Sequence, residues 1–261
     1  MNVRSPAVAG TFYEKSPDKL QAQMQLWLDS GRMHAEPLRA VIVPHAGYVY
    51  SGQVAGEAFS YLHAQSEQIH RVILIGPSHR FSFPGCDIPA ADFFSTPLGL
   101  IQIDKQSFTR ITPSPDVEIS DQVHAFEHSL EVQLPFLQTC LKQFSLVPLL
   151  VGSIAPQVLA GLIESLWQDE QTLLVVSSDL SHYHPDDEAR KIDLSTCYQI
   201  EQCEPTLTPE QACGATGINA LLLLVKKRGY HIRRIALKNS SDTIGDKQRV
   251  VGYVSYLISE A

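Results

Sequence analysis

The chain has 261 residues, 44% of them hydrophobic, which suits one large α/β domain or two small ones with a substantial core and disfavours long disorder. Lys and Arg total 20 against 28 Asp and Glu, a formal net charge of −8, and no basic run is interleaved with aromatics, which disfavours nucleic acid and anionic membrane as partners. No apolar segment reaches spanning length and the first residues, MNVRSPAVAGTFYEKSPDKL, carry prolines and charges where a signal peptide needs an apolar stretch, so a soluble cytoplasmic protein is expected.

Residues 1–15 read as extended, and Ser16-Pro17-Asp18 opens an amphipathic helix to about Leu28, with Ser16 as N-cap and Pro17 in the first turn. A core strand over 39–43 stops at Pro44 and His45. A helix over 51–62 then leads into a strand over 71–75, a βαβ unit whose crossover should be right-handed. Residues 81–97, rich in Pro, Gly and aromatics, read as a long loop with a short strand, able to roof a site, and 98–103 alternates like a strand. Leu130, Leu134, Leu137 and Leu141 predict a helix over 128–141 kinked at Pro135. Strands over 145–151 and 172–176 flank a helix over 156–167. Helices over 185–198 and 208–225 come next, the second interrupted early by Gly214 and Gly217. Two antiparallel strands, 231–238 and 249–258, close the chain around NSSDTIGDKQ, the last of them equally suited to an edge or an interior place. With no Gly/Ser/Pro linker and no repeat beyond strand-helix alternation, the expectation is a single α/β domain with a mixed, mostly parallel central sheet flanked by helices.

Three strands end the same way, in VIVPHAGYVYSG, VILIGPSH and LLVVSSDLSH, each delivering a histidine within a few residues of its carboxyl end. Ligands of open α/β sheets sit at those ends, so His45, His79 and His182 are candidates for one pocket, as metal ligands or proton carriers, against the alternative of hydrogen-bonded loop residues. The five cysteines, Cys86, Cys140, Cys197, Cys203 and Cys213, lack CxxC spacing and read as reduced thiols. Cys213, near the start of the apolar helix, is the candidate thiolate, favoured there by the helix dipole; its plainer role is a small buried hydrophobe. Asp179, three residues before His182, is placed to orient it or to cap a turn. HAFEH at 124–128 fits the HxxEH pattern of inverted zincins, which needs a helix across all five positions; otherwise Glu127 and His128 line the pocket at a helix start. GxSxG, Walker and GxGxxG motifs are all missing.

Taken together, RSPAVAGTFY, PHAGYVYSG, GPSH, EHSLEVQLPF, SSDLSHY, CGATG and NSSDTIGDKQRVVGY, running from Arg4 to Tyr253, resemble the Memo family. That family is similar to the catalytic subunit of class III extradiol dioxygenases, α/β proteins that open catechol rings with non-haem ferrous iron. Its bacterial and archaeal members are found alongside radical SAM and AMMECR proteins. The resemblance implies His45 and His79 as metal ligands, His182 as the acid/base histidine, and Cys213 where the dioxygenases carry a carboxylate ligand. A thiolate in that place shifts preference towards zinc, copper or a more redox-sensitive iron.

The leading expectation is thus a metal protein holding Fe(II), or copper or zinc, through His45, His79 and Cys213. It would act in a redox reaction on a small oxygen-rich substrate, with His182 moving protons, Asp179 orienting it, and Tyr48, Glu127 and His128 shaping the pocket. Two alternatives stand beside it: a non-catalytic binding module that keeps the same pocket and presents exposed Tyr48 and Tyr50 with the pocket histidines to a peptide, metabolite or protein partner, and an inverted zincin.

Overall fold

The structure, a computed structural model, describes residues 1–28, 37–243 and 245–260. After β1 (Val3–Arg4) and α1 (Pro17–Leu28) comes β2 (Leu38–Val43), buried along its whole length. Pro44, with no N–H to continue a ladder, ends it, and α2 (Tyr48–Phe59) runs back into a 3-10 segment before β3 (Arg71–Pro77). The expected loop over 81–97 is more regular than its composition suggested, holding β4 (Cys86–Ile88) and β5 (Phe93–Thr96) before β6 (Gly99–Gln102). Two single-turn helices, α3 (Lys105–Phe108) and α4 (Asp121–His124), flank β7 (Val117–Ile119).

The helix expected over 128–141 begins late. Glu131–Gln133 form a 3-10 turn and α5 is Leu134–Cys140, so Pro135 lies in the first turn, where its missing N–H costs nothing, and does not kink the helix. Then follow β8 (Ser145–Val151), α6 (Pro156–Leu166), β9 (Thr172–Ser177), β10 (His182–His184) and α7 (Asp186–Glu201). The next helix, α8 (Ala215–Arg228), starts only after Cys213 and Gly214, and β11 (His231–Asn239) and β12 (Val250–Ser259) close the fold.

The central sheet runs β10-β12-β2-β9-β3-β8-β4-β7, with β11 also on β12, and a small sheet joins β1, β5 and β6. Its heart, β2-β9-β3-β8, is parallel, while β12 on β2 and β4 on β8 are antiparallel. Parallel strands covered on both faces are apolar throughout, which is why 41–43, 72–75 and 173–176 read as continuous hydrophobic runs. The last strand is interior, held by β10, β11 and β2. The carboxyl ends of β2, β3 and β9 therefore lie side by side. Among the described residues no helix is long and apolar enough to cross a membrane.

Candidate metal centre

Each strand end brings one part of the site. His45 follows β2 and is almost fully buried. At the end of neighbouring β9 the Ser177 hydroxyl donates to the Ser129 carbonyl at 2.6 Å and accepts from Gln133 Nε2 at 2.8 Å. Its proton is thereby committed, so the 2.9 Å contact with His45 Nδ1 requires the imidazole to donate. The His45 tautomer follows: Nδ1 carries the hydrogen and Nε2 presents a bare lone pair. That lone pair faces Cys213 Sγ at 3.2 Å.

His79 follows β3 and is fixed by a carboxylate. Glu127 accepts its amide at 2.6 Å on Oε2 and its ring Nδ1 at 2.9 Å on Oε1, leaving Nε2 free. The same Oε1 accepts the amides of His128 and Ser129, both at 2.9 Å, and lies 3.3 Å from His128 Nδ1. Three imidazoles converge: His45, His79 and His128 each offer one ligand atom, all within 4.8 Å of one another.

Burial would raise the Glu127 carboxyl, but the His79 ring, its charge and the amides of His79 and Ser129 outweigh it and hold the group at about 2. Burial drives His45 well below the usual histidine value, and the neighbouring histidines push the same way. Burial likewise takes His128 down to about 4 despite Glu127. These two rings are therefore neutral at pH 7, the form that binds a metal. Cys213 differs from the sequence expectation. Burial, then the Asp179 charge, push its thiol up to about 12, because Cys213 precedes α8 and loss of solvent outweighs the helix end. Without a cation beside it the group is a thiol; a bound metal would be what deprotonates it.

Asp179 takes a different role from the one expected. It accepts the His45 amide at 2.8 Å, and also the Ala46 amide, so it fixes the turn that carries His45 rather than orienting His182. His182 stands in β10, half-buried, its pKa lowered by burial against a backbone hydrogen bond at Leu180 that raises it. Asp193 supports that strand's approach by accepting the Ser181 amide at 3.0 Å.

Tyr48 is buried, not exposed: its hydroxyl donates to the Val132 carbonyl at 2.6 Å and its ring packs on Tyr13, Trp27 and Phe136. Tyr50 does reach solvent. The inverted-zincin arrangement does not form. The helix ends at His124, whose ring turns to Asp87, 3.3 Å from Oδ1, away from His128.

Some contributors escaped the sequence reading. Ser177 and Gln133 set the His45 tautomer; the signal for Ser177 was the polar SS following an apolar strand, and Gln133 had none. Glu131 organises the N-terminal segment: its buried carboxylate takes Arg4 Nη1 at 2.9 Å, the Ala7 and Val8 amides and the Tyr13 hydroxyl. That segment carries Phe12 onto the His128 ring, centroids 4.7 Å apart. A charged residue amid Leu130, Val132 and Leu134 was the available clue. Beside the histidines, a cleft of about 240 Å³ opens at the carboxyl ends of β3, β8 and β9, lined among others by Ser78, Phe81, Phe83, Ser153, Cys213 and Thr216.

The chemistry of this donor set fits a divalent transition metal: two imidazoles with their Nδ1 positions committed, Nε2 of His79 free and Nε2 of His45 facing only the Cys213 thiol, and a third imidazole alongside. A family model described as Memo-like protein matches residues 4–257. A MEMO1 family protein of Aquifex aeolicus (strain VF5) is 34% identical over 98% of this chain and 99% of its own length. MEMO1 family proteins of Sulfolobus acidocaldarius, 34% identical, and Ignicoccus hospitalis, 35% identical, also align over at least 97% of this chain and 98% of their own lengths.

Proposed function

The chain belongs to the Memo-like family, and from that premise we propose that it is a non-haem metal protein whose ion is held by His45, His79 and Cys213. Iron or copper is the proposed redox-active occupant, with zinc the redox-inert alternative. The observation that carries this reading is the convergence of free imidazole nitrogens from separate strand ends on one point. A bound iron or copper would supply one-electron chemistry towards a small oxygen-rich substrate.

The chain's own residues do the rest. Ser177 and Glu127 keep the His45 and His79 rings in the metal-binding tautomer. Asp179 holds the His45 turn by its amides. The adjacent cleft gives a small substrate room, with serine and threonine hydroxyls for its oxygens and Phe81 and Phe83 to limit water. His182, lowered by burial and so neutral at pH 7, is a proton acceptor on β10, separated from β2 by β12. Of the two tyrosines that a binding module would present, Tyr48 is buried and Tyr50 reaches solvent.

The test is anaerobic purification with elemental analysis of the wild type, His45→Ala and Cys213→Ser. Stoichiometric iron or copper that His45→Ala loses and Cys213→Ser holds more weakly supports the reading, and oxygen-uptake screens with catechol-like compounds follow. A wild type that takes up neither metal on reconstitution, nor zinc, overturns it.

A further inference from the structure

We infer that His128 is an additional donor to this same metal, so that the ion is bound by His45, His79 and His128 with Cys213 at the His45 edge. The inference rests on the metal-protein reading and changes the composition of its site. Four observations carry it. The group of ligand atoms within 4.8 Å of one another consists of these three histidines, whereas Cys213 joins through His45 alone, at 3.2 Å. The His128 ring lies almost parallel to His79, centroids 4.6 Å apart at 28°, and nearly perpendicular to His45 at 5.5 Å and 87°. One carboxylate serves both neighbours: Glu127 takes the His79 amide and ring and the His128 amide, so the positions of the two rings are set together. Finally, His128 Nδ1 lies on the Glu127 side, 3.3 Å from Oε1, which leaves Nε2 as the atom offered to the shared space.

A plainer role for His128 would be to fill the gap between Phe12 and His79, a ring against rings. Filling alone does not call for a carboxylate oxygen 3.3 Å from its Nδ1, nor for three imidazoles, from buried His45 to solvent-facing His79, whose ligand atoms lie within 4.8 Å of one another. Neutral imidazole nitrogens gathered about one point are the donors that a divalent transition metal takes up. The consequence for the site is coordinative. With Cys213 bound as well, the set would supply three nitrogens and one sulfur, the donor count of a closed zinc site, whereas iron or copper would have room for a further ligand from the cleft.

The test uses the full chain, stripped of metal with a chelator and titrated with cobalt(II) and zinc(II). His128→Phe keeps a ring between Phe12 and His79 but removes the donor, and circular dichroism and thermal melts check its fold. Loss of a direct donor should weaken cobalt binding by more than the roughly 10–100-fold typical of an outer-shell partner and alter the visible cobalt bands. Cys213→Ser should instead remove a sulfur-to-cobalt charge-transfer band while the imidazole bands persist. X-ray absorption on zinc-loaded wild type supplies a readout that needs no variant, with three imidazoles per zinc expected. Unchanged cobalt affinity and spectrum in His128→Phe, or two imidazoles per zinc, overturns the inference while leaving the metal reading intact. A wild type that binds none of the metals overturns the reading itself.

Discussion

Glu127 grips His79 at two points, its amide at 2.6 Å and its ring Nδ1 at 2.9 Å, so one side chain fixes both where the imidazole sits and which nitrogen is bare. Glu127→Gln presents a single acceptor oxygen to several donors and turns an NH₂ towards them. The expected result is a folded protein whose metal affinity falls roughly 10–100-fold, read by competition against a chelator of known strength. Wild-type affinity in that variant would mean that His79 keeps its orientation without the carboxylate.

The second prediction concerns the N-terminal segment that walls the centre. Arg4 and Glu131 form a salt bridge at 2.9 Å with both side chains buried, and Arg4 also donates to the carbonyls of His124 and Glu127. Arg4→Met strands the Glu131 carboxylate and both carbonyls. The expected cost is about 3–5 kcal/mol in urea unfolding. Phe12 should loosen from His128 at the same time, detectable as faster hydrogen exchange of the Tyr48 amide, which donates to the Phe12 carbonyl at 2.7 Å. A cost below about 1 kcal/mol, the range of surface pairs, would contradict the burial argument.

These residues also mark how far the sequence could be read. His45 and His79 were legible because each ends an apolar strand in turn residues, and strand ends are where an α/β sheet places ligands. His128 was placed in the pocket, but HAFEH invited a helical reading, and nothing local shows that the helix stops at His124 and hands that ring to Asp87. Tyr48 was misjudged because a tyrosine at a helix start looks exposed until Trp27 and Phe136 arrive from elsewhere in the chain. The partners of Ser177, Gln133 and Glu131 lie tens of residues away or more, 127 in the case of Arg4 and Glu131, and no periodicity reports contacts at that separation. The strand order was legible in class rather than in detail: the short β4 and β7 were hidden in segments too brief to show alternation.

Gly214 provides a third prediction, about the thiol. A Cβ there would lie 2.6 Å from the Ser178 Cβ and 2.8 Å from the Ser177 carbonyl oxygen, closer than real side chains come. The Gly214 amide also donates to Ser178 Oγ at 2.8 Å, tying the Cys213 turn to the end of β9. Gly214→Ala must push that turn outward. We expect a loss of about 1–3 kcal/mol, the range for overpacking, together with weaker metal retention and faster alkylation of Cys213. Unaltered stability and alkylation rate would show that the turn can move without cost.

The last prediction is a pH dependence, and Asp179 gives it a defined sign. Burial lifts its carboxyl from the ordinary 3.8 to about 7, against the amide hydrogen bond from His45 that pulls it down. An acid whose folded value lies above its unfolded one keeps its proton better when folded. Its contribution to stability is therefore full below about 3.8 and is lost as pH climbs through about 7. His45 and His128, lowered by burial, act in the opposite sense and lose stability as pH falls below the ordinary histidine value, so the wild-type profile mixes the two effects. Comparison with Asp179→Asn cancels the histidines. In metal-free protein the variant should gain on the wild type as pH rises from 4 to 7, by at most about 1.4 kcal/mol per pH unit. Urea unfolding at pH 5 and pH 7.5 reads the difference directly. A difference that stays constant, or narrows with rising pH, would mean that Asp179 is ionised throughout and that the amides of His45 and Ala46 outweigh its burial.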